Sequence, residues 1–177
     1  MTTIVAVQSN DGVLFGADSQ VTAANGRKYS ATRMVKICER NGYIIAGSGE
    51  CAPCDIAQHI WSPPIPTAKD KRDLYHFMIA KVIPSLKQCF KDNDYKVNQD
   101  DDETAFSFLI ALDGELFEIA DDFSISLDDS GFYGVVSGSS YAIGALHAGA
   151  TIEQALNIAA NNDAFTSAPF IYLDQEK

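Results

Sequence analysis

The residues of this chain best suited to chemistry lie at its beginning. Thr2 follows the initiator methionine, and a methionine before so small a residue is expected to be removed. Thr2 would then carry a hydroxyl nucleophile and an α-amine, whose ordinary pKa of about 7.7–8.0 suits a base near neutral pH. Asp18 ends the second of two apolar runs that meet at Asp11-Gly12, a turn signal typical of a hairpin. We therefore expect Asp18 to lie close to Thr2.

Two further positions could complete such a site. Lys36 interrupts an apolar strand pattern, and two interpretations stay open: a lysine on the solvent face, or a buried lysine that depresses the pKa of a neighbouring group. Gly47 ends the next apolar run, before Ser48-Gly49-Glu50 and an expected helix. Free backbone N–H groups at such a turn can bind an oxyanion, although glycine is also common there for steric reasons.

The elements that must position these residues alternate between hairpins and helices. Asn41-Gly42 and Asp113-Gly114 each join two short runs typical of strands, and a last strand is expected at 170–173. Helices are predicted over 51–61, over 69–90 with an interruption at Pro84, from Ser137 to His147, and from Thr151 to about Asn162. This order predicts a mixed, α+β fold with antiparallel sheets covered by helices.

Length and composition limit the class of protein. The 177 residues suit one domain spanning 1–177, and 46% apolar with 21% charged residues is ordinary for a soluble protein. The net charge of −11 argues against a nucleic-acid partner, and no membrane span is expected. The N-terminus lacks the pattern of a signal peptide, which favours the cytoplasm and reduced cysteines.

Three other kinds of site have partial signals in the sequence. Cys51-Ala-Pro-Cys54 has the C-x-x-C spacing of a redox site, but the preceding elements are hairpins, unlike a thioredoxin-type βαβ unit. A zinc site could use Cys38 and His59 only loosely, so no metal site is predicted. The segment 92–103 has partial calcium-loop spacing, but Lys96 and Val97 occupy a ligand position and the turn position that needs glycine.

Six motifs in order carry a resemblance to a known family. They are Thr-Thr-Ile-Val-Ala-Val, Gly-Ala-Asp-Ser-Gln-Val-Thr, Val-Lys-Ile, Ile-Ala-Gly, Val-Ser-Gly-Ser-Ser-Tyr-Ala and Asp-Ala-Phe-Thr. Together they resemble the proteasome β-subunit family, with length and opening most similar to its bacterial HslV peptidase branch. The resemblance spans residues 2 to about 172. It implies an N-terminal-nucleophile (Ntn) hydrolase with a four-layer αββα sandwich.

The resemblance also implies roles for individual residues. Thr2 matches the nucleophile, Asp18 and Lys36 the acid and the lysine, and Gly47 the oxyanion donor. Ser137 matches the serine near the amine, Asp163 the acid that supports it, and Thr166 a position where many members have serine. For the first specificity pocket the matching residues are Val21, Ile45 and Gly49, and their character predicts apolar substrate residues. Val136 stands where relatives usually carry glycine, and the loop before Lys36 is about two residues longer.

The activity implied is that of a threonine endopeptidase that needs no cofactor. Homo-oligomeric rings would enclose the sites, polypeptides would be the substrates, and an ATP-dependent unfoldase is a suggested partner; the chain has no P-loop of its own. Two alternatives remain. One is a catalytically silent ring or scaffold of the same fold, and the other is a redox protein acting through Cys51 and Cys54.

Overall fold

Eleven strands and several helices make up the computed structural model, which describes residues 2–23, 25–30, 35–96 and 106–177. The strands in the first half are β1 (Ile4–Ser9), β2 (Gly12–Asp18), β3 (Gln20–Thr22), β4 (Lys28–Ser30), β5 (Ile37–Arg40) and β6 (Tyr43–Gly49). Those in the second half are β7 (Phe106–Leu112), β8 (Glu115–Ala120), β9 (Ile125–Ser126), β10 (Phe132–Val135) and β11 (Phe170–Glu176).

Two main sheets hold nine of these eleven strands, and all pairings are antiparallel. One has the order β10-β1-β2-β11 and the other the order β5-β6-β7-β8-β9, while β3 and β4 form a separate pair. In the first sheet Ile4 is paired with both Val135 and Ala17. The start of β1 therefore lies between the end of β10 and the end of β2, so Thr2 comes close to Asp18 and Ser137.

The helices form two groups. The first contains α1 (Cys51–Asp55), which continues as a wide π-type turn (Ile56–Ile60), and α2 (Leu74–Phe77), which runs through a second wide turn (Met78–Val82) into α3 (Ile83–Asp92). The second contains α4 (Ser139–His147) and α5 (Ile152–Asn162). None of the helices in the described ranges is long and apolar enough to cross a membrane.

Three apolar clusters connect these elements. One joins side chains of both main sheets, among them Phe15 of β2 and Leu109 of β7. A second joins the five-stranded sheet to the first helix group through residues such as Phe108 and Leu86. The third joins Val5 and neighbouring side chains of the four-stranded sheet to α4 and α5. Burial of these apolar surfaces is the main contribution that fixes the two sheets and thereby the site.

The hairpins are where the sequence places them. Asn41 and Asp113 have φ of 52° and 50°, and the glycines after them have φ of 80° and 76°, which is the left-handed backbone that an Asx-Gly turn supplies. The expected helix from Thr151 is also present, because the Thr151 side chain accepts from the Gln154 N–H and the Gln154 side chain accepts from the Thr151 N–H.

Other elements differ from the sequence prediction. The polar stretch after Asp18 was expected to be a loop, but it contains β3 and β4. The helix expected over 69–90 begins only at Leu74, because the Asp73 side chain caps it by accepting from the His76 N–H at 2.9 Å. The interruption expected at Pro84 is present as the wide turn Met78–Val82, which runs directly into α3, where Pro84 is the second residue. Most of the partial calcium loop, residues 97–103, lies outside the described residues.

Candidate active site

Asp18 is the most completely enclosed charged group of the candidate site. The side chain is 0% exposed and lies at the end of β2. One carboxylate oxygen, Oδ1, accepts from the Thr3 N–H at 2.8 Å and from Lys36 Nζ at 2.7 Å, while Oδ2 accepts from the Gln20 N–H at 3.0 Å. These bonds give both carboxylate oxygens hydrogen-bond partners, which a fully buried polar group requires.

The sequence leaves two interpretations of Lys36 open, a lysine on the solvent face and a buried lysine, and in the structure Lys36 is buried. It lies just before β5 and is 9% exposed, and its ammonium donates to Asp18 and to the Gln20 carbonyl, each at 2.7 Å. Burial lowers the pKa of Lys36 below its ordinary value, and the Asp18 carboxylate opposes this shift. The ion pair therefore favours the charged form of a buried lysine that lines the same cavity as Thr2.

A cavity of about 190 Å³ brings several of the predicted residues together. Thr2, Lys36 and Gly47 line it, and so do two of the three residues expected in the first specificity pocket, Val21 and Gly49. Ile45 does not belong to this lining. Its side chain is fully buried in the cluster between the five-stranded sheet and the first helix group.

The Gly47 N–H is already hydrogen-bonded, and there is no room for a side chain on the Gly47 Cα. The Gly47 N–H donates to the Lys36 carbonyl at 3.0 Å. An added Cβ would come within 2.8 Å of Phe108 and 3.0 Å of Cys54 Sγ, so only glycine fits without a shift of its neighbours. An oxyanion could use this N–H only by sharing it with the Lys36 carbonyl or by displacing that bond.

A second group of polar residues holds the Thr2 backbone. Ser137 Oγ donates to Asp163 Oδ2 at 2.8 Å and lies 3.4 Å from the Thr2 carbonyl oxygen, to which it can also donate. Thr166 Oγ1 donates to the same Asp163 oxygen at 2.5 Å and shares a hydrogen bond with the Thr3 hydroxyl. Ser137, Asp163 and Thr166 thus form one network against the start of the chain, while Asp18 and Lys36 form another.

The turn that carries Ser137 is strained. Val136 has a φ of 76°, a region that β-branched residues rarely adopt. The turn is held because the Val136 carbonyl accepts from both the Ser139 N–H at 3.0 Å and the Ser139 hydroxyl at 2.6 Å. Gly138 follows, where an added Cβ would lie 2.1 Å from the Thr3 hydroxyl oxygen. The chain therefore tolerates an unfavourable backbone at the residue before Ser137.

Sequence reasoning assigned no role to three buried polar residues near the cavity. Gln20 and Gln58 are 5% and 4% exposed, and both line the cavity. Gln58 donates to the carbonyls of Lys36 and Ile45 at 3.1 and 3.3 Å, and Thr3 contacts both Asp18 and Thr166. Two of them had a signal in the sequence, because Gln20 lies within the same family motif as Asp18 and Thr3 lies within the same motif as Thr2.

Two of the four cysteines line the cavity and two do not. Cys38, Cys51, Cys54 and Cys89 are all free, and Cys51 and Cys54 line the cavity with Thr2. Burial raises the pKa of Cys38 to about 11 and that of Cys54 to about 12. Within the described part of the chain, no cluster of three or more His, Cys, Asp and Glu residues could hold a metal ion.

Comparisons with known proteins point to one fold. No family model and no curated protein matches the chain. Among solved structures, BPH of Thiobacillus denitrificans in complex with epoxomicin is similar, with 20% identity and a TM-score of 0.71 over 98% of both chains. Eukaryotic HslV from Trypanosoma brucei has 18% identity and a TM-score of 0.68 over 99% of both chains.

A third similar structure is Anbu, described as an ancestral β-subunit, from Yersinia bercovieri. It has 14% identity and a TM-score of 0.64, over 97% of this chain and 80% of that one. At such identities the likeness is one of fold. All three proteins have the proteasome-like Ntn-hydrolase fold, and this chain shares that fold over nearly its whole length.

Proposed function

We propose that this protein is a proteasome-type threonine peptidase. The observation that supports this most directly is that Thr2, Lys36 and Gly47 line one cavity while the buried Asp18 carboxylate binds the Lys36 ammonium. A hydroxyl, a buried cation and a backbone donor in one cavity are the groups that acyl transfer needs. The reaction proposed is hydrolysis of peptide bonds, with no cofactor.

In the proposed reaction, Thr2 Oγ attacks the scissile carbonyl. Removal of Met1 leaves an α-amine on the same residue, and this amine takes the hydroxyl proton directly or through a water. The Lys36 ammonium lowers the pKa of the hydroxyl and of the amine, because a nearby positive charge favours their deprotonated forms. Asp18 keeps Lys36 charged and directs its Nζ.

The developing oxyanion needs a hydrogen-bond donor, and Gly47 N–H is our candidate. Such a donor typically contributes about 3–4 kcal/mol to transition-state stabilisation. Because Gly47 N–H already donates to the Lys36 carbonyl, the proposal requires this N–H to be shared with the oxyanion. Ser137, supported by Asp163 and Thr166, would hold the Thr2 backbone and the amine in place.

We extend the proposal to the assembly and the layers of the fold. The three apolar clusters support an αββα order, with the two sheets between the two helix groups. We propose that the chain forms homo-oligomeric rings in the cytoplasm, that it cleaves polypeptides, and that an ATP-dependent unfoldase supplies them. These extensions rest on the family resemblance of the motifs.

The test compares two substitutions of Thr2. Thr2→Ala removes the nucleophile and should abolish cleavage of small apolar peptide substrates, whereas Thr2→Ser keeps a hydroxyl and should retain cleavage. An epoxyketone such as epoxomicin should label Thr2 of the native protein, as located by mass spectrometry. Full activity of Thr2→Ala, or retention of Met1 on an active assembly, would contradict the mechanism.

A second candidate is a catalytically silent member of the same fold. The occupied Gly47 N–H favours it, since an oxyanion hole without a free donor loses most of its effect. This candidate predicts an assembled native protein, with Met1 removed, that neither cleaves peptides nor reacts with an epoxyketone. The labelling experiment therefore decides between the two.

A further inference from the structure

Two thiols on the wall of the candidate active-site cavity take no part in the proposed peptidase chemistry. Cys51 and Cys54 lie on α1, directly after β6, and both line the cavity that Thr2 lines. Both are free thiols. The two cysteines of the C-x-x-C motif thus lie at the candidate active site, although the described fold is not thioredoxin-like.

The two thiols differ in accessibility. Cys51 is exposed, whereas Cys54 is partly buried and packs close to Gly47. Burial, together with the neighbouring Cys51 and Asp55, raises the pKa of Cys54 to about 12, so Cys54 is protonated at neutral pH. A disulfide reagent must reach the sulfur that attacks it, so the exposed Cys51, and not the partly buried Cys54, is the member of the pair that is open to reaction.

The charges around the cavity determine which kind of thiol-reactive compound can approach Cys51. Glu50 and Asp55 are among the residues that line the cavity, and Lys36, the one lysine or arginine in the described part of the lining, already pairs with Asp18. A positively charged reagent is attracted by the two carboxylates, and a negatively charged one is repelled. The cavity volume of about 190 Å³ also favours a small reagent.

We propose that Cys51 is a covalent modification site through which a small cationic disulfide closes the cavity beside Thr2. The Cys51 thiolate attacks one sulfur of the disulfide and forms a new S–S bond, while the original S–S bond breaks. The leaving thiolate takes the electron pair and, on protonation, leaves as a free thiol. Cys51 is oxidised, the reagent is reduced, and Cys54 stays a thiol.

Loss of peptide cleavage on modification rests on the proposed function, whereas the position of the adduct does not. The probe is cystamine, with glutathione disulfide, which carries net negative charge, as the comparison. Mass spectrometry of the cystamine-treated native protein should find one aminoethylthio group per chain, on Cys51, and should find slower modification by glutathione disulfide. Cleavage and epoxyketone labelling of Thr2 should be lost, and dithiothreitol should restore both.

Two variants serve as controls. Cys51→Ser should take up no cystamine, and its cleavage rate should be the same with and without the reagent. Cys89→Ser, which changes a thiol outside the cavity lining, should behave like the unmodified sequence. An adduct on Cys54 or Cys89, a Cys51–Cys54 disulfide, or a Cys51 adduct that leaves cleavage unchanged would overturn the inference. Absence of cleavage before treatment would instead contradict the proposed function, while the mass measurement still tests the site.

Discussion

At the scale of single residues, the site depends on one buried ion pair. Asp18 and Lys36 are 0% and 9% exposed, and their charged atoms lie 2.7 Å apart. Removing one partner of such a pair leaves an uncompensated buried charge, which typically costs about 3–5 kcal/mol. Replacing both partners by neutral residues avoids that cost. The pair is therefore required as a unit, even if it adds little net stability.

We predict that Asp18→Ala lowers the free energy of unfolding by about 3–5 kcal/mol, because Lys36 stays buried without its carboxylate. Asp18→Ala combined with Lys36→Met should be destabilised less than Asp18→Ala alone, since the unpaired charge is gone. Urea unfolding followed by circular dichroism measures both variants. A double variant that is as unstable as the sum of the two single ones would show that the pair is not coupled.

The lowered pKa of Lys36 gives a dependence of stability on pH. Between the folded-state pKa and the ordinary value of 10.5, the unfolded chain binds more protons than the folded one. The contribution of Lys36 to stability therefore rises with pH in this window, and the cost of its buried charge is fully present below it. Compared with the reference Asp18→Asn/Lys36→Met, the unmodified protein should gain stability as the pH approaches 10.5. A constant difference would mean that the pKa is not lowered.

At the scale of elements, the turn between β10 and α4 carries a strain that one substitution can remove. Val136 has a φ of 76° and is 36% exposed, so it buries little surface in return. A non-glycine residue in such a region destabilises the folded state by about 1–3 kcal/mol. Glycine removes this strain, but it loses more conformational entropy on folding, which offsets about 0.5–1 kcal/mol of the gain.

We therefore predict that Val136→Gly raises the free energy of unfolding by about 1 kcal/mol. The matched control is Val136→Ala, which keeps the Cβ and should retain most of the strain. Chemical denaturation gives the comparison, as a higher midpoint at an unchanged slope. If alanine and glycine gave equal gains, the side chain of valine and not its backbone would be the cause.

The same elements show which structure can be predicted from sequence and why. Asn41-Gly42 and Asp113-Gly114 are local signals, because each dipeptide itself favours the backbone of the turn, and the Thr151 cap is local too. The pairing of β3 with β4 is not predicted by the sequence, since a polar hairpin that packs little apolar surface lacks an alternating pattern.

The residues of the candidate site show the same difference between what local sequence predicts and what only tertiary structure determines. Thr2, Asp18 and Lys36 could be named because hairpin connectivity and family motifs bring them together. The bond from Gly47 N–H to the Lys36 carbonyl depends on the register of β5 on β6, which no single residue specifies. The burial of Ile45 depends on which helices cover β6. Both are tertiary properties that residue types alone do not determine.

At the scale of the whole molecule, the proposed ring must overcome the charge of its own subunits. Each chain carries a net charge of −11, so copies repel one another at low ionic strength. Large apolar side chains remain exposed and available for contacts between copies, including Ile65, Ile60, Tyr141 and Ile79. Association through such surfaces depends little on charge, whereas the repulsion is screened by salt.

We predict a native mass several times the 19.2 kDa of one chain, with an assembled fraction that grows as salt is raised. The Debye length falls from about 10 Å at 0.1 M to about 3 Å at 1 M ionic strength, which removes most of the repulsion between subunits. Light scattering coupled to size exclusion measures the mass at each salt concentration. Thr2→Ala should assemble equally well, because Thr2 is only 8% exposed and faces the cavity, so this variant separates assembly from activity. A monomer at every salt and protein concentration would contradict the ring, and an assembly that dissociates as salt rises would show that contacts between opposite charges hold the subunits together.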